Sequence, residues 1–411
     1  MTRQAAPHGV QAVIAWLVDG ARTARQPEDV LAELCERLLA CGLPLQRVAV
    51  FVRTLHPDVM GRRFLWRHGE GVAVSEAPYG LMETDSYRRN PVPVVFRTAA
   101  PIRRHLADPA CPDDYAILAE MRAEGVTDYL VQPLLFANGE VHAVSWTTTR
   151  PGGFTADHVA ALEAIRAPFA RLAEIYGLRR LATNLLDTYV GRGAGERILQ
   201  GRIRRGDIER TAAVILLSDL RDFTAQSNRL SGEAVIALLN GYFDCLVPGI
   251  AAHGGEVLKF LGDGLLGIFP VAADPAVACR DALAAADEAR AALQEGNAER
   301  SARGEPELRF GLALHLGEVL YGNIGSAGRL DFTTIGPAVN LTARLENLAR
   351  DLGRDIVASA AFARHCPDAL TSLGSFRLRG FRDPQEVFAP AEGPPTAPPR
   401  AGPITPRSGA G

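Results

Sequence analysis

The residues best suited to chemistry fall in three short pieces of the second half of the chain. In TAAVILLSDLRDFTAQS, residues 211–227, Thr211–Leu217 reads as a buried strand, and Asp219 stands where strand gives way to loop and helix. A carboxylate there, followed by a short loop whose amides can cradle phosphate oxygens, suits a hard cation held against a phosphate. Taken alone, an aspartate after a strand is more often a helix cap or turn residue. In GGEVLKFLGDGLLGIF, residues 254–269, two apolar strands flank Gly262-Asp263-Gly264, a tight hairpin with Asp263 at its tip. Lys259 lies four residues earlier on the first strand. By itself this piece is an ordinary Asp-Gly turn with a solvent-facing lysine. In RLDFTTIGPAVNLTARLENLA, residues 329–349, a short strand leads into a helix opened by Pro337. Asn340 and Arg344 are i and i+4 on it and share a face, beside a stripe of Val339, Leu341, Leu345 and Leu348.

In this order the pieces resemble the class III adenylyl/guanylyl cyclases. SDLRDFT resembles the family's first metal segment, KFLGD its second, and TTIGPAVNLTAR its nucleoside and transition-state segment. GLALHLGEVLYGNIGS, residues 311–326, is similar to the central strands, and LRGFRDPQEVF, residues 378–388, to the closing ones. The resemblance implies that Asp219 and Asp263, with the backbone carbonyl of Leu220, hold two Mg²⁺ or Mn²⁺ ions per active site. One ion would lower the pKa of the ribose 3′-hydroxyl, and the other would clamp the triphosphate for in-line attack. It also implies that Arg344 neutralises charge on the transferring phosphoryl group, that Asn340 positions the ribose, and that amides around Phe223 and Thr224 bind phosphate. Arg379, in the Leu-Arg-Gly segment, is a further candidate for that task.

Base choice would rest on Lys259 and Thr333. Lysine can donate to adenine N1 and the threonine hydroxyl can accept from N6, whereas guanine presents an N–H that lysine cannot satisfy. Guanylyl members place an acidic residue where Lys259 stands, so the expectation is an adenylate cyclase making 3′,5′-cyclic AMP and pyrophosphate from ATP. The alternatives are a guanylate or relaxed-specificity cyclase and a non-catalytic nucleotide-binding regulatory dimer. The last would be expected to lack a metal carboxylate or the arginine, and both are present here. A diguanylate cyclase has a related core, but no GG(D/E)EF loop occurs in the chain. Two positions depart from the family pattern. Thr333 stands where many members have Asp, which resembles a Thr-containing subset, and Asp222 stands at a position that is often Gly. We read Asp222 as a cap of the helix that follows. Sites of this family form between two catalytic domains, so a homodimer with two composite sites is implied.

The elements that must position these residues divide the chain into parts. The fold class expected is α+β: a class III cyclase catalytic domain over residues 205–390, with a ferredoxin-like βαββαβ core implied by the resemblance, preceded by an α+β domain over 1–158. In that first domain residues 28–42 keep helical spacing up to Gly42, and QRVAVFVRTL, RRFLWRH and VPVVFRT read as strands. Residues 113–124 read as a helix, and TDYLVQPLLF and EVHAVSWTTT flank an Asn-Gly hairpin turn. This pattern resembles a GAF domain that receives an unknown small-molecule or protein signal. Residues 159–204 read as a signalling helix and linker. Its apolar residues Leu162, Ile165, Phe169, Leu172, Ile175, Leu178, Leu181 and Leu185 fit either a helix packed on its own domain or a parallel two-chain coiled coil. The segment 391–411, rich in Pro, Gly and Ala, reads as a disordered tail.

At 411 residues and 47% hydrophobic, the chain can bury more than one core, and its net charge of −3 gives no footprint for nucleic acid or an anionic membrane. Six scattered cysteines without a C-x-x-C pair suggest reduced thiols, with no disulfide framework or zinc site. No apolar run reads as long enough to span a bilayer, so no membrane insertion and a cytoplasmic location are expected.

Overall fold

The computed structural model describes residues 7–57 and 59–391, so the predicted tail lies outside the described residues save Ala391. The chain divides into two compact units, 1–185 and 186–411.

The first unit runs α1 (Pro7–Val18), α2 (Pro27–Ala40), β1 (Arg47–Arg53), β2 (Val59–Arg67), β3 (Gly71–Pro78), α3 (Asp85–Arg88), α4 (Pro91–Thr98), β4 (Ile102–His105), α5 (Ile117–Ala123), β5 (Asp128–Leu135), β6 (Val141–Thr148) and α6 (Ala156–Tyr189), the last extending past the division. Among the described residues six strands form one antiparallel sheet in the order β3-β2-β1-β6-β5-β4. On one face Leu31, Leu34 and Leu38 of α2 and Leu162, Ile165 and Phe169 of α6 pack with Val48, Val50 and Trp146 of the sheet. On the other, Val92 and Val95 of α4 and Leu118 of α5 meet Val131 and Ala143.

The unit is thus α+β, but one expected strand is a helix. VPVVFRT has the β-branched composition of a strand, yet it forms α4. Local chemistry wins: the Asn90 side chain accepts from the Val92 N–H, Pro91 takes the first helical position, and Ala99 closes the end in a left-handed conformation. Val92 and Val95, three apart, then share the buried side. The strands β3 and β4 were not legible: β3 is mostly exposed and shows no buried alternation, and β4 is only four residues long.

The second unit runs α7 (Arg192–Leu199), β7 (Ile208–Leu220), α8 (Phe223–Ser227), α9 (Gly232–Ala252), β8 (Glu256–Leu261), β9 (Gly264–Pro270), α10 (Pro275–Ala302), β10 (Phe310–Ser326), β11 (Arg329–Ile335), α11 (Pro337–Asp351), β12 (Ile356–Ser359), α12 (Ala360–Ala363), β13 (Leu370–Phe376) and β14 (Gln385–Pro390). Its sheet has the order β13-β14-β12-β10-β7-β9-β8, with β11 paired to β10. The antiparallel stretch β10-β7-β9-β8, joined through α9 and α10, is a βαββαβ arrangement. Because side chains alternate along a strand, β7 sends Val214, Leu216 and Leu220 into the core under α9 and α10. Ala213 and Ile215 face the other side, where Ala194 of α7 and Ala338 of α11 pack.

One expectation needs correcting here. α9 is 21 residues long, with a mean hydropathy of 1.6 over its most apolar window, so by length and composition it could cross a membrane. In this fold Leu238, Tyr242, Leu246 and Ile250 bury its apolar side in the core shared with α10.

Candidate active site

Asp219 is the penultimate residue of β7 and continues the series that faces α11. It lies opposite Gly264 of β9 on one side and Gly311 of β10 on the other. A Cβ at Gly264 would fall 3.3 Å from Asp219 Oδ1 and 2.9 Å from the Ser218 carbonyl oxygen, so glycine keeps the space beside the carboxylate open. The hairpin tip is fixed against the strand end, because the Leu220 N–H donates to the Asp263 carbonyl oxygen at 3.1 Å. Behind it, the Ser218 hydroxyl and the buried Tyr242 hydroxyl share a 2.6 Å hydrogen bond that joins β7 to α9. The fold therefore brings Asp219, Leu220 and Asp263 together.

Burial first, and the neighbouring Asp263 charge second, hold the Asp219 carboxyl above its usual range, against the pull of Arg350 and Arg221. Two carboxylates in this position call for a cation, and one is already in contact: Arg350 Nη2 lies 3.0 Å from Asp219 Oδ2. An all-oxygen donor set suits Mg²⁺ or Mn²⁺. Among the described residues no group of three or more His, Cys, Asp or Glu gathers around a metal site. Remaining ligands would come from the Leu220 carbonyl, water and phosphate oxygens, as Mg²⁺ commonly accepts. The residues fit the ions implied by the sequence.

Phe223 and Thr224 head α8 directly after this loop. Ala225 and Gln226 both donate to the Asp222 carbonyl, which leaves the Phe223 and Thr224 amides among the unpaired first-turn donors of the helix. Asp222 does not cap through its side chain. It takes a left-handed conformation (φ 58°), and its carboxylate pairs with Arg309 at 2.6 Å. The positive φ explains why glycine suits the position, and aspartate is among the residues that tolerate it.

Lys259 lies near the acidic pair, opposite Leu266 of β9, which pairs with Leu217 of β7 two residues before Asp219. Lys259 donates to Asp331 of β11, and Thr333 is two residues further along, on the same side of that strand. Thr333 is buried against β10, opposite Gly322. One of the three ammonium N–H groups is engaged by Asp331, so two remain for a ligand. Asn340 and Arg344 are exposed on the outer side of α11, and Arg344 has no hydrogen-bond or ion-pair partner among the described residues. Arg379 is exposed in the turn between β13 and β14, where the buried Leu378 packs with Leu341 and Leu345 of α11. No hydrogen bond or ion pair among the described residues joins it to the acidic pair.

Five charged residues of this site escaped sequence reasoning: Arg221, Arg309, Asp331, Glu346 and Arg350. Glu346 carried a signal, since it falls four residues after Thr342 on the buried side of an amphipathic helix. It pairs with Arg221 at 2.8 Å with both side chains nearly enclosed. Burial raises the Glu346 carboxyl and lowers the Arg221 guanidinium, so desolvation outweighs their attraction for both.

The adenylate and guanylate cyclase catalytic domain family matches residues 208–388. Adenylate cyclase 1 of Rhizobium meliloti (strain 1021) is 34% identical over 185 residues, covering 44% of this chain and 27% of its own. An adenylate cyclase of Anabaena cylindrica is 32% identical over 163 residues, covering 38% of this chain and 32% of its own. The present chain thus spans about a quarter to a third of the length of these curated relatives. The crystal structure of the guanylyl cyclase Cya2 is similar at 32% identity, covering 44% of this chain and 91% of that one, with a TM-score of 0.40. The acidic pair at the β7 end, the βαββαβ order and the family match agree, and residues 208–388 are a class III adenylyl/guanylyl cyclase catalytic domain.

Proposed function

We propose that the protein is an adenylate cyclase that converts ATP to 3′,5′-cyclic AMP and pyrophosphate at two sites shared between two copies of the chain. The observation that carries the shared site is the layout of α11. Its C-terminal end reaches Asp219 through Arg350, whereas Asn340 lies ten residues earlier, about 15 Å along the helix axis. Asn340 and Arg344 are exposed and stand apart from the acidic pair of their own chain, as residues serving a partner's pair would.

Bound divalent ions would supply Lewis-acid activation of the ribose hydroxyl and charge for the triphosphate. The chain's own residues do the rest. Asp219 and Asp263 provide the negative cradle, and the first amides of α8 face phosphate. From the partner copy, Asn340 orients the ribose and Arg344 offsets charge that grows on the phosphoryl oxygens. Lys259, steadied by Asp331, donates to adenine N1, and Thr333 accepts from N6. The Thr333 hydroxyl can also donate, which favours a second reading in which GTP is turned over more slowly by the same site.

The N-terminal unit is proposed as a GAF-like sensor, with the protein working in the cytoplasm. A cavity of about 710 Å³ lined by Leu31, Val50, Phe64, Phe136 and Phe169 supports a ligand-responsive role, being of the size small-molecule sites have. Along α6, Leu162, Ile165, Phe169 and Leu172 are spent on the unit's own core, while Ile175, Leu178 and Leu185 remain 43–56% exposed. That exposed stretch is our candidate for the helix pair that joins two chains. Mixing tests the shared site: Asp219→Ala and Arg344→Ala chains should each be inactive with ATP, and a mixture should regain up to about a quarter of wild-type activity, as random pairing allows one intact site in half the dimers. A mixture as inactive as its parts would refute the arrangement.

A further inference from the structure

Two ion pairs fasten the metal-facing end of β7 to the last turns of α11. Asp219 and Arg221 are two apart and point to the helix side of the sheet, and Glu346 and Arg350 are i and i+4 on the helix face that meets them. The inner pair, Arg221–Glu346, is 2.8 Å long, with side chains 10% and 4% exposed. Arg221 reaches Glu346 by crossing Gly311: a Cβ there would lie 1.7 Å from Arg221 Nη2, so only glycine admits the guanidinium. The outer pair, Arg350–Asp219, is of similar length at 3.0 Å, but the Arg350 side chain is 53% exposed.

Similar geometry with different burial means different exchangeability. Breaking the inner pair strands a charge in a dry setting, which is strongly unfavourable. The outer pair is wet on the arginine side, screened by salt and cheaply broken. It also shares its carboxylate with the site assigned to a divalent ion, and two positive charges drawn to one carboxylate repel each other, so the guanidinium and the ion compete for it.

We propose that Arg350 is an exchangeable counter-cation for the Asp219–Asp263 pair, holding Asp219 while no divalent ion is bound and yielding it when one arrives. The buried Arg221–Glu346 pair keeps the metal loop and α11 in register through the exchange. Arg350 thereby relieves the repulsion of two adjacent carboxylates in the metal-free protein and lowers their affinity for the ion. This rests on Asp219 being a metal ligand, as the proposed function holds.

The test is a titration of the full chain with Mn²⁺ alone, without nucleotide, following the free-ion signal by electron paramagnetic resonance. Arg350→Gln should bind Mn²⁺ about 3- to 10-fold more tightly than wild type, a range set by the strength of partly exposed ion pairs, with the gap narrowing as salt is added. Arg350→Lys, which keeps the charge, should stay within about twofold of wild type on the same reasoning. Asp219→Asn should weaken binding in both the wild-type and Arg350→Gln backgrounds. Melting curves on each variant verify folding, which the exposure of Arg350 favours. If Arg350→Gln binds no more tightly than wild type while Asp219→Asn still weakens binding, the counter-cation role is wrong. If Asp219→Asn leaves Mn²⁺ binding unchanged, the metal assignment itself fails and the proposal falls with it.

Discussion

At the scale of single residues, the site separates groups whose roles the sequence exposes from groups that only contact reveals. Asp219, Asp263, Asn340 and Arg344 could be singled out because an aspartate at a strand end, another at a hairpin tip and a polar pair on one helix face are local patterns, and the resemblance of the three pieces together implied their roles. Asp331 could not, because its partner Lys259 is 72 residues away in sequence. That contact carries a prediction. Asp331→Ala removes the acceptor that steadies the Lys259 ammonium, so the preference for ATP over GTP should fall several-fold, on the order of 1 kcal/mol for one charged hydrogen bond. Competition assays with both nucleotides would check it, and an unchanged ratio would show that Lys259 needs no such support. Arg344→Ala should lower kcat by about 10²- to 10³-fold with little change in KM, the signature of a group that acts on developing charge.

At the scale of elements, the buried Arg221–Glu346 pair makes α11 and the loop after β7 one mechanical piece. Glu346→Gln leaves the Arg221 charge enclosed without its counter-ion and should destabilise the protein by roughly 3 kcal/mol. Urea unfolding would measure this, and a loss under about 0.5 kcal/mol, the range of an ordinary surface change, would show that the pair is better hydrated than its burial indicates. Helix α6 offers a contrast, since its apolar stripe was legible as a whole but its division of labour was not. Periodicity shows which residues share a face; it does not say where a domain's own core stops covering that face. In the structure Leu172 is the last buried residue of the stripe and Tyr176 still packs partly on that core, so Leu178→Asp and Leu185→Asp, at more exposed positions, should weaken self-association by about tenfold while the N-terminal unit stays folded. Sedimentation at several concentrations, with thermal melts, would separate the two effects. The misread α4 has a similar origin: strand-like composition lost to an Asn cap and a proline, which act through backbone hydrogen bonds that composition does not register.

For the whole molecule, the order of pieces along the second half was legible because five ordered segments there resemble one family, with apolar runs in β7 and β9 to mark strands. The N-terminal unit was legible only as a class, since its small edge strands and short helices leave weak periodic traces. Its stability, together with that of the catalytic unit, has a foreseeable pH dependence. Burial pushes His315 down to about 4, and His142 and His158 are lowered by the same cause. Between about pH 6.5 and 4 the unfolded chain binds protons that the folded chain refuses, so these histidines make stability fall as pH drops through that window and add no slope above it. Asp219 and Glu346, held high by burial, act in the opposite sense as pH rises above the usual carboxylate range. Comparing wild type with His315→Gln isolates the histidine contribution. The difference between their unfolding free energies should grow toward acid pH to an upper bound on the order of 3 kcal/mol near pH 4. Parallel curves would show that His315 titrates normally.

The claim on which the rest depends is that the catalytic unit cyclises ATP. Purified full-length protein, given equal ATP and GTP with Mn²⁺ and analysed by chromatography for both cyclic products, tests it most directly. Cyclic AMP should dominate, and Asp219→Ala should abolish it. Cyclic GMP in excess would overturn the base assignment to Lys259 and Thr333, and the absence of both products would contradict the proposed activity.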